Sequence, residues 1–222
     1  MAKFSRIQVY QAMHDTGIVP VFYHGKLETC KEVLKACYDG GARCFEFTNR
    51  GDKAHEVFGQ LIDWVRKEIP EMKMGVGSIV DAPTAALYIQ LGADFIVCPI
   101  FVDDVIKVCN MRKVAVSPGC GSLTEIAKAH ELGVEVVKIF PALQVGGPEF
   151  IKAVKGPMPY VSIMPTGGVS PQEENIKSWI GAGAFCVGMG SNLMVKKEDG
   201  SFDAQKITSL TASCIEAVAK YR

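Results

Sequence analysis

Eight short apolar runs, each followed by a stretch with helical or turn character, recur along these 222 residues. They are GIVPVFY (17–23), ARCFEFT (42–48), KMGVG (73–77), ADFIVCP (93–99), KVAVSP (113–118), EVVKIFP (135–141), YVSIMPT (160–166) and AFCVGMG (184–190). Runs this short and this rich in β-branched and aromatic residues read as strands buried on both faces. The intervening stretches carry helix signals. LETCKEVLKACYDGG sets Leu27, Cys30, Val33, Leu34, Cys37 and Tyr38 on one face and closes at Gly40 and Gly41. KAHEVFGQLIDWVRKEIP stops at Pro70. Asp81, Ser122 and Ser170 are expected N-caps, with Pro83 in a first turn. The phrases GGAR (40–43), LGAD (91–94), LGVE (132–135) and GAGA (181–184) each end a helix on glycine and lead into the next strand.

Strictly alternating units of this kind require a parallel sheet with crossover helices. Eight of them, with no linker or low-complexity segment between, predict a single domain over residues 1–222. The expected fold is α/β, a (β/α)8 TIM barrel with an extra N-terminal helix supplied by MAKFSRIQVYQAMHDTG. A doubly wound sheet is the second choice. It wants a GxGxxG turn after the first strand, and VFYHGKLE has none.

Composition narrows the function class. The 24 basic and 24 acidic residues cancel, so no strong field favours nucleic acid or an anionic membrane. No apolar run reaches the roughly 18–20 residues that span a bilayer, and the N-terminus is too polar for a signal peptide. The eight cysteines form no CxxC pair and sit mostly in apolar runs, the usage of reduced thiols in a cytoplasmic protein. The four histidines lack ligand spacing, so no metal is expected.

Barrel active sites lie at the C-terminal ends of the strands. Those ends supply Glu46, Thr48, Asn49 and Arg50 on strand two, Ser78 after strand three, Pro99 on strand four and Ser117 on strand five. Strand six supplies Lys138 and strand seven Thr166. By period-two alternation Ala42, Cys44, Glu46 and Thr48 share one face, and so do Val134, Val136, Lys138 and Phe140. Glu46 and Lys138 are therefore expected to point together into the upper barrel. A lone strand lysine most often snorkels to solvent. Here a glutamate and an arginine at a second strand end favour a paired, buried lysine instead. Withdrawal from water destabilises an ammonium, and a neutral amine attacks a ketone to form a Schiff base. Glu46 would shuttle protons for that chemistry, and the fork of Arg50 suits a substrate carboxylate. The turns PTGGVS and VGMGSN place Gly167 and Gly168 beside Gly188, Gly190 and Ser191, a composition that fits a phosphate cup after strands seven and eight. Plain turn chemistry is the alternative for those glycines.

The combination GGARCFEFTNR, GVGSIVDAPTAALYIQLGADFIVCP, SPGCGSLTEIAKAHELGVEVVKIFPA and MPTGGVSPQEENIKSWIGAGA resembles the class I aldolases for 2-keto-3-deoxy-6-phosphogluconate (KDPG) and 4-hydroxy-2-oxoglutarate (KHG) over nearly the whole chain. The resemblance implies a Schiff-base lysine at Lys138 and a general acid/base at Glu46. It implies carboxylate binding by Arg50, Thr166 and the hydroxyl of Ser78, and phosphate binding by Gly167, Gly168 and Ser191. Pro99, Ser117 and Phe140 would complete the pocket. It implies a homotrimer without metal or other cofactor, acting on a small-molecule 2-keto-3-deoxy acid. The expected reaction is cleavage of 2-dehydro-3-deoxy-6-phosphogluconate to pyruvate and glyceraldehyde 3-phosphate, with 4-hydroxy-2-oxoglutarate as the alternative substrate. A phosphate-binding barrel isomerase shares the glycine turns, and a non-catalytic sugar-acid or phosphate-binding barrel is the reading from another class. Ser78 stands where threonine is usual in the family. Asn49 and Gly51 flank Arg50 where Leu and Thr are common. Met189 is an extra residue beside the expected cup. The segment KKEDGS (196–201) reads as a solvated loop without function.

Overall fold

The computed structural model describes all 222 residues. Helix α1 (Arg6–Thr16) precedes β1 (Ile18–Phe22), and α2 (Leu27–Asp39), β2 (Cys44–Thr48), α3 (Ala54–Glu68) and β3 (Lys73–Gly77) follow. Next come α4 (Ala82–Leu91), β4 (Phe95–Val97), α5 (Asp103–Arg112), β5 (Ala115–Ser117) and β6 (Gly119–Cys120). The chain continues through α6 (Leu123–Glu131), β7 (Val136–Ile139), α7 (Gly147–Lys155) and β8 (Ser162–Pro165). It ends with α8 (Glu173–Gly181), β9 (Val187–Met189) and α9 (Ala204–Tyr221). All eight expected runs are strands. There are nine because the run at 113–118 resumes after Pro118, which has no N–H to give a ladder.

Every strand pair is parallel. One sheet has the order β5-β4-β3-β2-β1-β9 and the other β6-β7-β8. Pro118 joins the two sheets at one side, its carbonyl accepting from Lys138 N–H at 2.9 Å. At the other side Thr166, just past β8, bridges Gly188 of β9.

The recurring glycine phrases have one conformational cause. Gly41, Gly92, Gly133 and Gly183 all have positive φ, from 79° to 107°. The following residue donates in each case to a carbonyl five positions back: Ala42 to Cys37, Ala93 to Tyr88, Val134 to Ala129 and Ala184 to Trp179. That is the Schellman helix ending, used four times to turn a helix into a strand. Asp81 and Ser122 are N-caps as expected, accepting from Thr84 and Glu125 N–H. Ser170 is not: the cap of α8 is Gln172. Asn175 explains the difference, because its side chain accepts from Ser170 N–H at 2.8 Å and donates to the Gly168 carbonyl. A helix side chain thus ties down the loop that Ser170 belongs to.

Burial falls into two layers. Fifty-seven residues form the cluster that includes the outer strand faces and the helices. A second cluster holds Val19, Cys44, Phe95, Val97, Ala115, Val136, Met164 and Cys186, packed against Val9, Tyr10, Ala12 and Met13 of α1. The Tyr10 hydroxyl donates to the Val116 carbonyl and accepts from its N–H, both at 3.0 Å. Helix α1 therefore seals this inner apolar layer. The residues two positions farther along the same faces, Glu46, Ser117, Lys138 and Thr166, are polar and also buried. Strand alternation turns that second layer into the candidate site.

Asp94, fully buried at the start of β4, accepts from the backbone N–H groups of Lys3, Phe4 and Met74. It also pairs with Arg66 at 2.8 Å. Removing Asp94 leaves those three N–H groups and the partly exposed Arg66 guanidinium without their acceptor, so Asp94→Ala is expected to lower unfolding free energy by about 3 kcal/mol. Urea midpoints measure it, and an unchanged midpoint would contradict the structural role.

Candidate active site

Lys138 is 4% exposed and Glu46 1%, so neither snorkels. Lys138 Nζ lies 3.9 Å from Glu46 Oε1 and 5.0 Å from the Phe140 ring centroid. The separation is an ion pair, too long for a direct hydrogen bond. Glu46 Oε2 has no hydrogen-bond partner, and neither do the buried hydroxyls of Thr48 and Thr166. Leaving such an atom unpaired costs about 1–3 kcal/mol. Thr48 and Thr166 lie on one cavity wall, and unpaired buried atoms of this kind mark a place built to meet polar atoms that are not its own. Burial raises the Glu46 carboxyl above its ordinary value of 4.5, against the lowering influence of Lys138 and then Arg50.

The carboxylate has room because β3 is glycine-rich on its inner face. A Cβ on Gly77 would fall 1.8 Å from Glu46 Oε1, and one on Gly75 would fall 2.1 Å from the Phe95 ring. Gly77→Ala is accordingly expected to displace the Glu46 carboxylate and lower kcat by about 10²-fold, the scale on which a small misplacement of a reacting group is felt. Steady-state kinetics of the folded variant checks this, and full activity would show that Glu46 tolerates the shift.

Above Lys138 opens a cavity of about 470 Å³. Its walls include Arg50, Phe140, Thr166, Gly167, Gly168, Gly188, Gly190 and Ser191 of the expected set, together with Thr48. Lys138 and Glu46 are not wall residues. Ser78, Pro99 and Ser117 are also absent from the cavity wall. Ser117 is buried, Pro99 is half-buried with its carbonyl against Gly119, and Ser78 is half-buried. Ser78 has φ 62°, a left-handed conformation unfavourable for a residue with a Cβ. Strain of that kind gathers where a loop is shaped for use.

Gly167 and Gly168 have φ 96° and 83°, and no acceptor of the chain takes their N–H groups or that of Ser191. The loops that carry them are cross-linked. Leu143 N–H donates to Gly167 O, and Asn192 Nδ2 donates to Val169 O at 2.8 Å. Gly188 leaves space for Thr166, whose Oγ1 would stand 2.2 Å from a Cβ there. Met189 does not enter the cup. Strand alternation sends its fully buried side chain into the outer cluster, while Gly188 and Gly190 line the cavity.

Sequence reasoning missed several wall residues: Tyr23, Asn192, Met194, Lys196 and Phe202. Residues 196–200 are exposed, in keeping with the reading of 196–201 as a solvated loop, yet Lys196 also lies on the cavity wall. It bridges Phe202 in antiparallel register, and its Nζ stands 5.3 Å from that ring centroid. Local composition reads only as solvated there. The alternating aromatic at Phe202 was the one available signal.

The family model for KDPG and KHG aldolase matches residues 9–210. The chain belongs to that aldolase family. The KHG/KDPG aldolase of Escherichia coli (strain K12) is 30% identical over 90% of this chain and 91% of its own. The crystal structure of 2-keto-3-deoxy-6-phospho-gluconate aldolase from Zymomonas mobilis ATCC 29191 superposes with TM-score 0.80 at 27% identity, covering 92% of this chain and 94% of that one. A KDPG aldolase from Legionella pneumophila, solved with pyruvate captured as a covalent carbinolamine, superposes with TM-score 0.82 at 24% identity. It covers 91% of this aldolase-family chain and 96% of its own. Aldolases are carbon–carbon lyases.

Proposed function

We propose that this protein is a class I aldolase that cleaves 2-dehydro-3-deoxy-6-phosphogluconate to pyruvate and glyceraldehyde 3-phosphate. The observation that carries the reading is the buried Lys138–Glu46 pair beneath a cavity with unpaired hydroxyls. The amine of Lys138 adds to the C2 ketone, giving a carbinolamine. Glu46 protonates the departing hydroxyl, and water leaves as the imine forms. The Glu46 carboxylate then takes the C4 hydroxyl proton while the C3–C4 bond breaks. The electron pair moves into the imine to make an enamine, and the aldehyde departs. Protonation at C3 regenerates the imine, and water releases pyruvate and free Lys138. Arg50 and Thr166, with Ser78, hold the carboxylate end. Gly167, Gly168, Gly188, Gly190 and Ser191 take the phosphate, in keeping with the unpaired N–H groups of Gly167, Gly168 and Ser191. Pro99, Ser117 and Phe140 act as supports around the lysine. No cofactor or metal takes part in this scheme.

The same proposal extends to architecture. The two parallel sheets, joined at Pro118 and bridged at Thr166–Gly188, form one (β/α)8 barrel domain over residues 1–222. The protein acts in the cytoplasm as a homotrimer, and light scattering tests the trimer.

Incubation with pyruvate followed by borohydride is expected to add a reduced pyruvyl group to Lys138, read by intact mass and peptide mapping. A folded sample with no adduct would sink the Schiff-base scheme and favour an isomerase or a binding protein.

A further inference from the structure

Among the residues that line the cavity there are two cations, Arg50 and Lys196, and no aspartate or glutamate. Neither cation has a carboxylate within ion-pair distance, although many surface lysines of this chain do, Lys107 and Lys152 among them. Lys196 is held rather than dangling. Asp203 N–H donates to the Val195 carbonyl and Lys197 N–H to the Ser201 carbonyl, closing a small antiparallel turn around the Lys196–Phe202 bridge. Phe202 is buried and edge-on to Phe22 at 5.0 Å, so the platform under the Lys196 ammonium is part of the core. The turn begins directly after Ser191–Met194, and Gly190, Ser191, Met194, Lys196 and Phe202 all line the one cavity.

We propose that Lys196 is a specificity-determining residue that binds the anionic end of the substrate opposite the carboxylate held at Arg50. The inference rests on the aldolase reading and deepens it. A cavity with an unpaired cation in each of two loops fits a ligand with an oxyanion at each end. An ammonium in the same cavity wall as the glycine turns adds a charge-assisted contact that backbone N–H groups alone do not supply. The terminal oxyanion is a phosphate if the aldehyde fragment is long and a carboxylate if it is glyoxylate.

Aldol condensation of pyruvate with glyceraldehyde 3-phosphate, glyoxylate and unphosphorylated glyceraldehyde distinguishes these. For Lys196→Ala, the kcat/KM for glyceraldehyde 3-phosphate relative to glyceraldehyde is expected to fall about tenfold, through KM, the loss of one charged hydrogen bond. Lys196→Glu should fall further, and Lys196→Arg should restore most of the ratio. A parallel fall for glyoxylate assigns Lys196 to any anionic end, and its absence assigns it to phosphate. An unchanged ratio in both Ala and Glu variants overturns the proposal. Calorimetric binding of glycerol 3-phosphate to wild type and to Lys196→Ala gives a readout free of turnover. If wild type cannot be trapped with pyruvate yet binds glycerol 3-phosphate about tenfold more tightly than the variant, the aldolase reading fails and the anion site stands. Equal binding by both, with normal trapping, leaves the aldolase and removes the role of Lys196.

Discussion

Lys138→Met is expected to abolish both pyruvate trapping and turnover while the chain still folds. The loss should be at least about 10⁴-fold, a large part of the 10⁶-fold or more by which enzymes exceed uncatalysed rates. Methionine keeps the length and apolar stem of the side chain, so it still fills the space beside Phe140, while the nucleophile and its charge are lost. The variant has a second signature. Glu46 is already raised by burial, and removing the Lys138 charge takes away the main influence holding it down. A carboxyl whose folded value exceeds its unfolded value binds more protons folded than unfolded. Its stabilising contribution is complete below the unfolded value and is lost as pH rises through the folded one. The urea midpoint of Lys138→Met should therefore fall relative to wild type as pH rises through the wild-type Glu46 value, which burial sets above 4.5, toward the still higher value in the variant. Residual turnover near the wild-type rate would end the Schiff-base mechanism. A flat stability difference would show that Glu46 does not depend on Lys138.

Glu46→Gln should lower kcat by about 10²–10⁴-fold, the range for a positioned acid/base group. Imine trapping by Lys138 should slow but persist, because the amine is intact and only the proton relay is missing. The wild-type rate should climb with pH along a limb that lies above the ordinary carboxylate value of 4.5, since burial raises Glu46 and the carboxylate form is the base in the bond-breaking step. Glutamine cannot titrate, so that limb should vanish from the variant's profile. A limb retained in Glu46→Gln would assign it to another group. A kcat within about twofold of wild type would remove Glu46 from the scheme, since a positioned acid/base group contributes at least about 10²-fold.

Periodicity and punctuation were sufficient for the elements. Strand runs, the glycine helix endings at Gly41, Gly92, Gly133 and Gly183 and the caps at Asp81 and Ser122 are set by neighbours a few residues apart, and the structure carries each of them. Alternation also told which side of β2 and β7 Glu46 and Lys138 share, because a pleat has only two faces. Ser170 escaped because a side chain five residues on, Asn175, competes for its loop. The break at Pro118 and the division into two sheets followed from hydrogen bonding between strands, which no single run encodes.

The sequence by itself determined the α/β order and the family, and it named Glu46 and Lys138 as candidates that share the inner strand faces. Only the tertiary structure decided that Glu46 and Lys138 stand 3.9 Å apart, that Gly77 on a third strand makes room for the carboxylate, and that Lys196 reaches the cavity. The reason is range. Local propensity acts over a turn or a strand, whereas a distance between Glu46 and Lys138 depends on how every strand between them is registered and how α1 fills the space beneath.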